Sequence, residues 1–460
     1  MSRQEAGSRK QEAGGRKQEA GKIILTFILL FFLVPFAFCL SGPALVGYWH
    51  NWNDANAPYI PLDQVDQRYN IVNVAFAIPD VGSDYKISFV PEQVSPAVFK
   101  TQVQTLQSQG RLVNISVGGA NGPVVLHTAA ERDTFATRLT SILNYYGFDG
   151  VDIDLEGSSL SVSGGTIYTP IDQPVINLIS AIKLVMQNYR SIFQKKMYLS
   201  MAPETAFVQG GKSAYAGIWG AYLPVIQGLR DSLDILHVQL YNSGSMIGPD
   251  NNTYSQGTAD FIVAMTEMVI QGFLCSGGTF FGLPATKIAI GLPACNMAAG
   301  GGYADTAIVG SAIRYLRGVG PKPGIYTLIH FGGYPDLRGM MTWSINWDAT
   351  INCASIYEYA SNFQQLFMNT TSIHETFADE QFTIFPNPFN ESVTIHKIKH
   401  HSQSFPVEIY NNLGELIYRS WFTSTTMTIP TSDFKPGPYV FRIGENHSMQ
   451  IKLSAGKQIR

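Results

Sequence analysis

Residues 147–156 read Gly-Phe-Asp-Gly-Val-Asp-Ile-Asp-Leu-Glu. From Val151 onward apolar and acidic residues alternate with the period of a β-strand. Val151, Ile153 and Leu155 therefore share one face, and Asp152, Asp154 and Glu156 share the other. Asp149 has the parity of the apolar set and is expected to hold the turn before the strand. The apolar face must pack on helices, so the acids point into the interior of the sheet. Three inward carboxylates in a row are costly unless they are paired or do chemistry. A solvated edge strand would escape that cost, but a closed barrel has no edges.

The surrounding chain supports a barrel. Strand candidates are 44–50, 69–78, 111–119, 147–156, 196–204, 233–242, 287–294 and 338–348, separated by amphipathic stretches. Val175, Leu178, Ile179, Ile182, Val185 and Met186 recur at helical spacing, as do Ile308, Ile313 and Leu316. This alternation over residues 41–368 describes an α/β fold, a (β/α)8 TIM barrel. A doubly wound open sheet is second, and no Gly-rich dinucleotide loop follows its first strand. In a barrel, function collects at the carboxyl ends of the strands. Residues 369–380 lack apolar periodicity and read as a linker. From 381 to 460 the pattern becomes strict alternation with turn signals such as Lys435-Pro436-Gly437, which predicts a small all-β sandwich.

Composition narrows the class. The 460 residues are 45% hydrophobic and only 14% charged, with 43 Gly and 24 Pro, which excludes a disordered or collagen-like chain. Lys and Arg number 31 against 34 Asp and Glu, so no basic excess points to nucleic acid. Low charge with many Tyr, Trp and Asn suits neutral polar ligands such as sugars. Charge divides unevenly: residues 41–380 hold 17 basic and 26 acidic side chains, and residues 381–460 hold 8 and 5.

Residues 1–40 read as an address. Three imperfect copies of one heptad fill residues 1–22, and Lys22 then opens an apolar run from Ile23 to Leu40. This is the pattern of a secretory signal peptide. A membrane anchor is the alternative, since the run is just long enough to span. Pro35 and the folded-looking segment that starts at Val46 favour cleavage. Cys275, Cys295 and Cys353 then remain, which allows one disulfide without choosing the pair and matches no zinc spacing.

The acidic strand limits the chemistry. Same-face neighbours on a strand lie about 6.5–7 Å apart, so Asp152, Asp154 and Glu156 flank a substrate from one side only. A conventional glycosidase brackets the sugar with two carboxylates. Glu204, ending the fifth strand, is the candidate for a second carboxylate. Otherwise the substrate supplies its own nucleophile, with Glu156 as general acid and Asp154 stabilising a developing cation. Asp152, deeper, would share a proton with Asp154. A metal centre would need ligands converging from several segments, and none recur, so no metal or cofactor is expected.

The run Asp149–Glu156 resembles the DxxDxDxE signature of glycoside hydrolase family 18, the chitinases. Ser116-Val117-Gly118-Gly119 is similar to that family's SxGG motif. Met201-Ala202-Pro203-Glu204, Gln239-Leu240-Tyr241-Asn242 and Thr342-Trp343-Ser344-Ile345-Asn346-Trp347-Asp348 are similar to its fifth, sixth and eighth strands. The likeness covers residues 44–365 and is to bacterial chitinases of the single-barrel type. It implies that Glu156 protonates the glycosidic oxygen. Asp154 would hold the substrate's N-acetyl nitrogen while its carbonyl oxygen attacks the anomeric carbon, and Asp152 would partner Asp154 beforehand. It also implies that Tyr241 bonds the acetamido group, that Gln239 and Asn242 position it, and that Trp343 floors the reacting sugar. Ser116, Gly118 and Gly119 are expected to be structural, Met201 and Glu204 to line the site, and Tyr48, Trp49 and Trp52 to stack on sugars. His50 is expected at the rim or in packing. Only about 45 residues separate the last two strands, too few for an extra lobe. A shallow open cleft follows, with the loop Gly157–Thr169 on its rim, and endo cleavage by a monomer.

The terminal segment resembles the sorting domain of the type IX secretion system of Bacteroidota. The likeness rests on Phe385-Pro386-Asn387-Pro388, Val407–Asn411, Leu413-Gly414, Lys435–Val440 and Lys452. It implies the secretion machinery as partner and an extracellular or cell-surface location. The rival is a carbohydrate-binding module with Tyr418, Trp421 and Phe422 as a stacking strip. The leading expectation is a secreted chitinase. The alternatives are an endo-β-N-acetylglucosaminidase acting on N-glycans and a non-hydrolytic chitin-binding lectin.

Overall fold

Eight parallel strands succeed one another around a barrel in a computed structural model: β1 (Ala44–His50), β2 (Ile71–Pro79), β3 (Leu112–Gly118), β4 (Gly150–Asp154), β5 (Tyr198–Met201), β6 (Ile235–Leu236), β7 (Ala289–Pro293) and β8 (Gly339–Trp343). The structure describes residues 42–353, 355–368, 382–386, 389–397, 405–411, 413–443 and 449–455. The amino-terminal address (1–40) and the linker (369–380) lie outside the described residues. β8 pairs with both β1 and β7, and the seam between β6 and β7 is closed by parallel bridges Leu236–Ile288 and Gln239–Gly291. Helices α1 (Pro96–Ser108), α2 (Ala129–Tyr146), α3 (Gln173–Phe193), α4 (Leu223–Leu229), α5 (Ala259–Gln271) and α6 (Thr306–Leu316) occupy the crossovers from β2 through β8.

The helices form where the pattern and the caps agree. Thr128 and Glu131 make a reciprocal capping box at the start of α2, and Gly147 ends it at φ 77°. Along α3, Val175, Leu178, Ala181, Ile182, Val185 and Tyr189 are buried at helical spacing against the barrel.

Parity divides the strands into two cores. Val151 and Ile153 of β4, with Leu155 just beyond, join the layer between sheet and helices, as do Leu45, Trp49, Val72, Val74, Leu199 and Met201. Val46, Tyr48, Ile71, Ala75, Ala202, Ile235 and Met341 fill the barrel interior. The run 338–348 is not one strand. β8 stops at Trp343, Ser344 accepts from Trp347 N–H, and Ile345–Asp348 form a helical turn.

Cys295 and Cys353 form a disulfide, Cα to Cα 5.5 Å, which ties the loop after β7 to the segment after β8. Cys275 is a buried thiol.

The terminal unit packs two antiparallel sheets. One holds β9 (Phe382–Phe385), β10 (Ser392–Lys397) and β13 (Thr426–Pro430). The other holds β12 (Leu416–Phe422), β11 (Phe405–Tyr410), β14 (Gly437–Ile443) and β15 (Met449–Ala455) in that order. Phe389, Val393, Ile395, Val407, Ile409, Phe422, Ile429, Tyr439, Phe441 and Ile443 make its core. Phe422 is thus inside, Tyr418 packs on the same core, and Trp421 points outward at 55% exposure. The aromatic strip of the carbohydrate-binding alternative does not form on one face.

Asp348 locks the end of the barrel chain. It accepts from Tyr69 Oη (2.5 Å), Tyr359 N (2.8 Å) and Ala360 N (3.1 Å). Burial outweighs these donors and raises its carboxyl to about 6. A carboxyl raised in the folded state stabilises most when protonated, so its contribution is full below its unfolded value of 3.8 and is lost as pH rises through about 6. The loss is on the order of 3 kcal/mol. The Asp348 carboxyl 13C resonance should titrate with a midpoint of about 6, and Asp348→Asn should flatten the fall in unfolding free energy across that range.

Candidate active site

The inward face of β4 organises the site because its neighbours are in register with it. Ser116 on β3 and Ser200 on β5 stand directly beside Asp152. Asp152 is fully buried, and both its oxygens are engaged. Oδ2 accepts from Tyr48 Oη (2.5 Å) and Ser116 Oγ (2.7 Å), and Oδ1 accepts from Ser200 Oγ (2.6 Å). His237 Nε2 lies 3.4 Å from Oδ1 in the sealed interior. Burial by itself would raise this carboxyl. His237, Ser200 and Tyr48 overcome it and hold Asp152 below the usual carboxylate range.

One layer outward the balance reverses. Gln239 Nε2 donates to Asp154 Oδ1 (2.8 Å), Glu156 Oε1 (3.0 Å) and Ala202 O (3.0 Å), drawing both acids to one amide. Asp154 is 2% exposed, and Glu156, just past the strand, is half-buried. Burial, then the charges of Glu156 and Asp152, push Asp154 well above its ordinary value. Glu156 is raised by burial and by Glu204, against the Gln239 donor. The pair therefore keeps a proton to higher pH than free carboxyls would. Asp154 is turned to Gln239 and Glu156, not to Asp152, whose oxygens are occupied. Asp154 and Glu156 meet on the Gln239 amide, and the charges of both Glu156 and Asp152 add to the burial that raises Asp154.

Glu204 stands on the same side. Its Oε2 accepts from Gly157 N (3.4 Å), so it buttresses the start of the rim loop. Tyr241, two residues past Gln239 and of the same parity, is 6% exposed. Burial and the charges of Asp154 and Glu156 hold its phenol protonated far above its ordinary range.

Aromatic rings make the facing wall. Phe76 stacks on Trp343 (5.8 Å, 13°) and on Trp52 (6.4 Å, 24°), and all three are partly exposed. His50 stacks on Trp52 (4.5 Å) and bonds Ser344 Oγ through Nε2 (2.8 Å). Burial lowers His50 to about 4, so it is neutral near pH 7.

Several expected positions sit elsewhere. Trp49 is fully buried with Nε1 on Ile60 O (2.8 Å), because it has the outward parity of β1; it cannot stack on a ligand. Met201 pairs in register with Ile153 and shares its outward face, so it packs under the helices and does not line the site. Tyr48 is inward but only 1% exposed, and it serves Asp152 rather than a ligand surface. Asn242, at φ 51°, spends its backbone N–H and side-chain oxygen on Gly301 and pins the loop after β7. Asp149 anchors the approach to β4, taking bonds from Val113 N, Gln107 Nε2 and Lys195 Nζ. Gly118 and Gly119 adopt positive φ (108° and 75°), and a Cβ on Gly118 would meet Asp154 O; Gly119 N instead donates to that oxygen (2.6 Å). Ser200, His237 and Phe76 were not among the expected site residues. His237 shares parity with Gln239 and Tyr241, which is the signal that reveals it.

Comparison with known proteins agrees with this geometry. The family model described as glycosyl hydrolases family 18 matches residues 44–379, and that of the secretion system C-terminal sorting domain matches residues 383–454. Chitinase Chi52 of Paenibacillus xylanexedens is 48% identical over 67% of this chain and 59% of its own length. Chitinase D of Niallia circulans is 46% identical over 72% of this chain and 63% of its own. The chain thus spans about three fifths of these curated relatives. A family GH18 chitinase from Chromobacterium violaceum superposes with a TM-score of 0.61 at 36% identity, over 70% of this chain and 83% of that one.

The Gln239 amide stabilises the ionised forms of Asp154 and Glu156. Gln239→Leu should therefore raise the apparent titration of the pair further. Carboxyl 13C titration of the purified protein reads this directly.

Proposed function

The chain belongs to glycosyl hydrolases family 18, and from that premise we propose that it hydrolyses internal β-1,4 linkages between N-acetylglucosamine units of chitin, with retention of configuration and with the substrate's acetamido group as nucleophile. The observation that carries this reading is the division of the cleft into two walls. Asp152, Asp154, Glu156 and Glu204 come from β4 and the end of β5, whereas Phe76, Trp52 and Trp343 face them. A retaining glycosidase with its own nucleophile needs a second carboxyl about 5–5.5 Å away across the sugar. The aromatic wall offers none.

The steps follow from the positions. The sugar lies on Trp343, and Glu156, the outermost and most accessible of the three strand acids, donates its proton to the glycosidic oxygen. As the C1–O bond breaks, the acetamido carbonyl oxygen bonds to C1 from the opposite face. Asp154 orients the acetamido N–H and offsets the positive charge of the resulting oxazolinium ion, and Tyr241 donates to the acetamido oxygen. Glu156, now ionised, takes a proton from water as the water oxygen attacks C1 and the oxazolinium ring opens. Asp152 stays ionised and adds negative potential below the cation. Among the described residues, the 45 positions between Pro293 and Gly339 hold α6 and connecting loops, which supports an open cleft and internal cutting.

Chitohexaose should be cut mainly to dimers and trimers, with the β-anomer formed first, as read by mass spectrometry and proton NMR. Glu156→Gln should lower kcat by a factor of about 100 to 10,000. The pH profile should keep activity above the ordinary glutamic range of about 4.3, because burial raises the proton-sharing pair, and should fall as pH rises through its titration. Release of the glycan from a high-mannose glycopeptide, with chitohexaose left intact, would overturn the chitin reading.

The carboxyl-terminal sorting domain supports export, and we assign residues 381–460 as the address for type IX secretion. In a Bacteroidota host, a chain ending at residue 380 should leave its hydrolytic activity with the cells, while the full chain delivers it to the surface or medium.

A further inference from the structure

Among the described residues of the interior beneath Asp154 and Glu156, His237 is a buried ionisable side chain that the mechanism above does not use. His237 is 0% exposed, and it is held on the inward face of the barrel by the alternation that buries Leu236, Val238 and Leu240 outside. Its backbone N–H donates to Met201 O (2.9 Å), which sets its height beside β5. Nε2 approaches Asp152 Oδ1 at 3.4 Å without reaching hydrogen-bond geometry, so both buried ring nitrogens stand without a hydrogen-bond partner and Asp152 Oδ1 is the acceptor that Nε2 faces. The edge-on ring of Tyr48 (6.1 Å, 89°) packs against it. Asp152 from β4 and Tyr48 from β1 are the titratable groups that the described contacts set against it.

Such a group is expensive in a dry interior unless it serves its neighbour. The neighbour, Asp152, takes two donors on Oδ2 and one on Oδ1. An N–H on Nε2 gives Oδ1 a second donor besides Ser200, matching the two that Oδ2 takes from Tyr48 and Ser116. With that N–H removed, Asp152 would compete for the proton that Asp154 and Glu156 share.

We propose that His237 is a positioning residue for the reaction: it donates from Nε2 to Asp152 Oδ1, keeps Asp152 an anion, and so leaves the proton with Asp154 and Glu156. The inference rests on the hydrolytic reading above. Its chemistry differs from that of the groups that touch substrate, because His237 acts only through Asp152.

The test compares His237→Gln, whose side-chain amide keeps a donor near the place of Nε2, with His237→Leu, which has none. With chitohexaose, His237→Leu should lose kcat by about tenfold or more per folded molecule while KM stays within about twofold. His237→Gln should recover most of that loss. Thermal unfolding and circular dichroism establish the folded fraction of each. Wild-type kcat in His237→Leu, or equal losses in the two variants, would overturn the proposal. A second readout needs no turnover. In protein labelled with 15N-histidine, the buried Nε2–H should give a slowly exchanging downfield proton signal that is absent from His237→Gln and shifts in Asp152→Asn. If the signal is missing or indifferent to Asp152→Asn, the proposal fails even when both enzymes are active. If wild type leaves chitohexaose uncut but the signal behaves as expected, the hydrolytic reading fails and the His237–Asp152 contact stands.

Discussion

Everything in the barrel interior answers to the burial of Asp152. An ionised carboxylate moved from water to a protein interior loses several kcal/mol of solvation, and it must recover this from donors or give up its charge. Asp152 recovers it. Tyr48, Ser116 and Ser200 reach it from β1, β3 and β5, so three strands place one inward side chain each at the same height. That requirement sets the register of β4 against both neighbours, since a slip of one residue would bring Ile115 or Leu199 to that height. Asp154 and Glu156 meet the same cost differently. They retain a proton, and Gln239 serves both.

The order of the acids along the strand then has consequences. The deepest is the anion, and the outermost is the one half-open to the cleft. In the reverse order, an anion at the mouth would be screened by water and would exert little pull on the proton within. With the anion sealed below, its field acts through a poorly screened interior and raises Asp154, which in turn keeps a proton beside Glu156.

Period-two alternation was enough to read the acidic face of β4, the outward set Val151, Ile153 and Leu155, and the structural part of Asp149. Gln239 and Tyr241 came from the family resemblance; His237, two residues upstream of Gln239 with the same parity, was not among the expected residues. Trp49 and Met201 show where the reading needed more. Each adjoins an inward residue, Tyr48 or Ser200; Met201 belongs to a motif and Trp49 to an aromatic run at the strand end, but in the barrel parity decides, because the sheet has only two faces. Phe76 was hidden because what it needs is position at the mouth of β2 beside Trp343, which depends on the neighbouring order of β8, β1 and β2. The disulfide was out of reach for a similar reason. Cys295 and Cys353 lie 58 residues apart and meet because β7 and β8 are adjacent in the closed sheet.

The two walls of the cleft divide the work between charge and shape. The rings of the aromatic wall carry no charge, because burial among Trp52, Trp343 and Ser344 keeps His50 neutral against the pull of Asp54. A protonated His50 would place a cation against the sugar face on which positive charge develops in the proposed mechanism. Burial removes that penalty and leaves the ring to brace Trp52 by stacking and the Trp343 turn through Ser344. The acidic wall keeps its field for the same reason. Negative potential from Asp152 and the proton held by Asp154 and Glu156 face a wall that carries no opposing charge among these described rings. In the proposed mechanism a cation formed between the walls would be drawn toward the acids while its ring lay flat on the indole of Trp343. The proposed chemistry needs both conditions together, and one inward face of β4 set against the ends of β1, β2 and β8 is arranged to meet them.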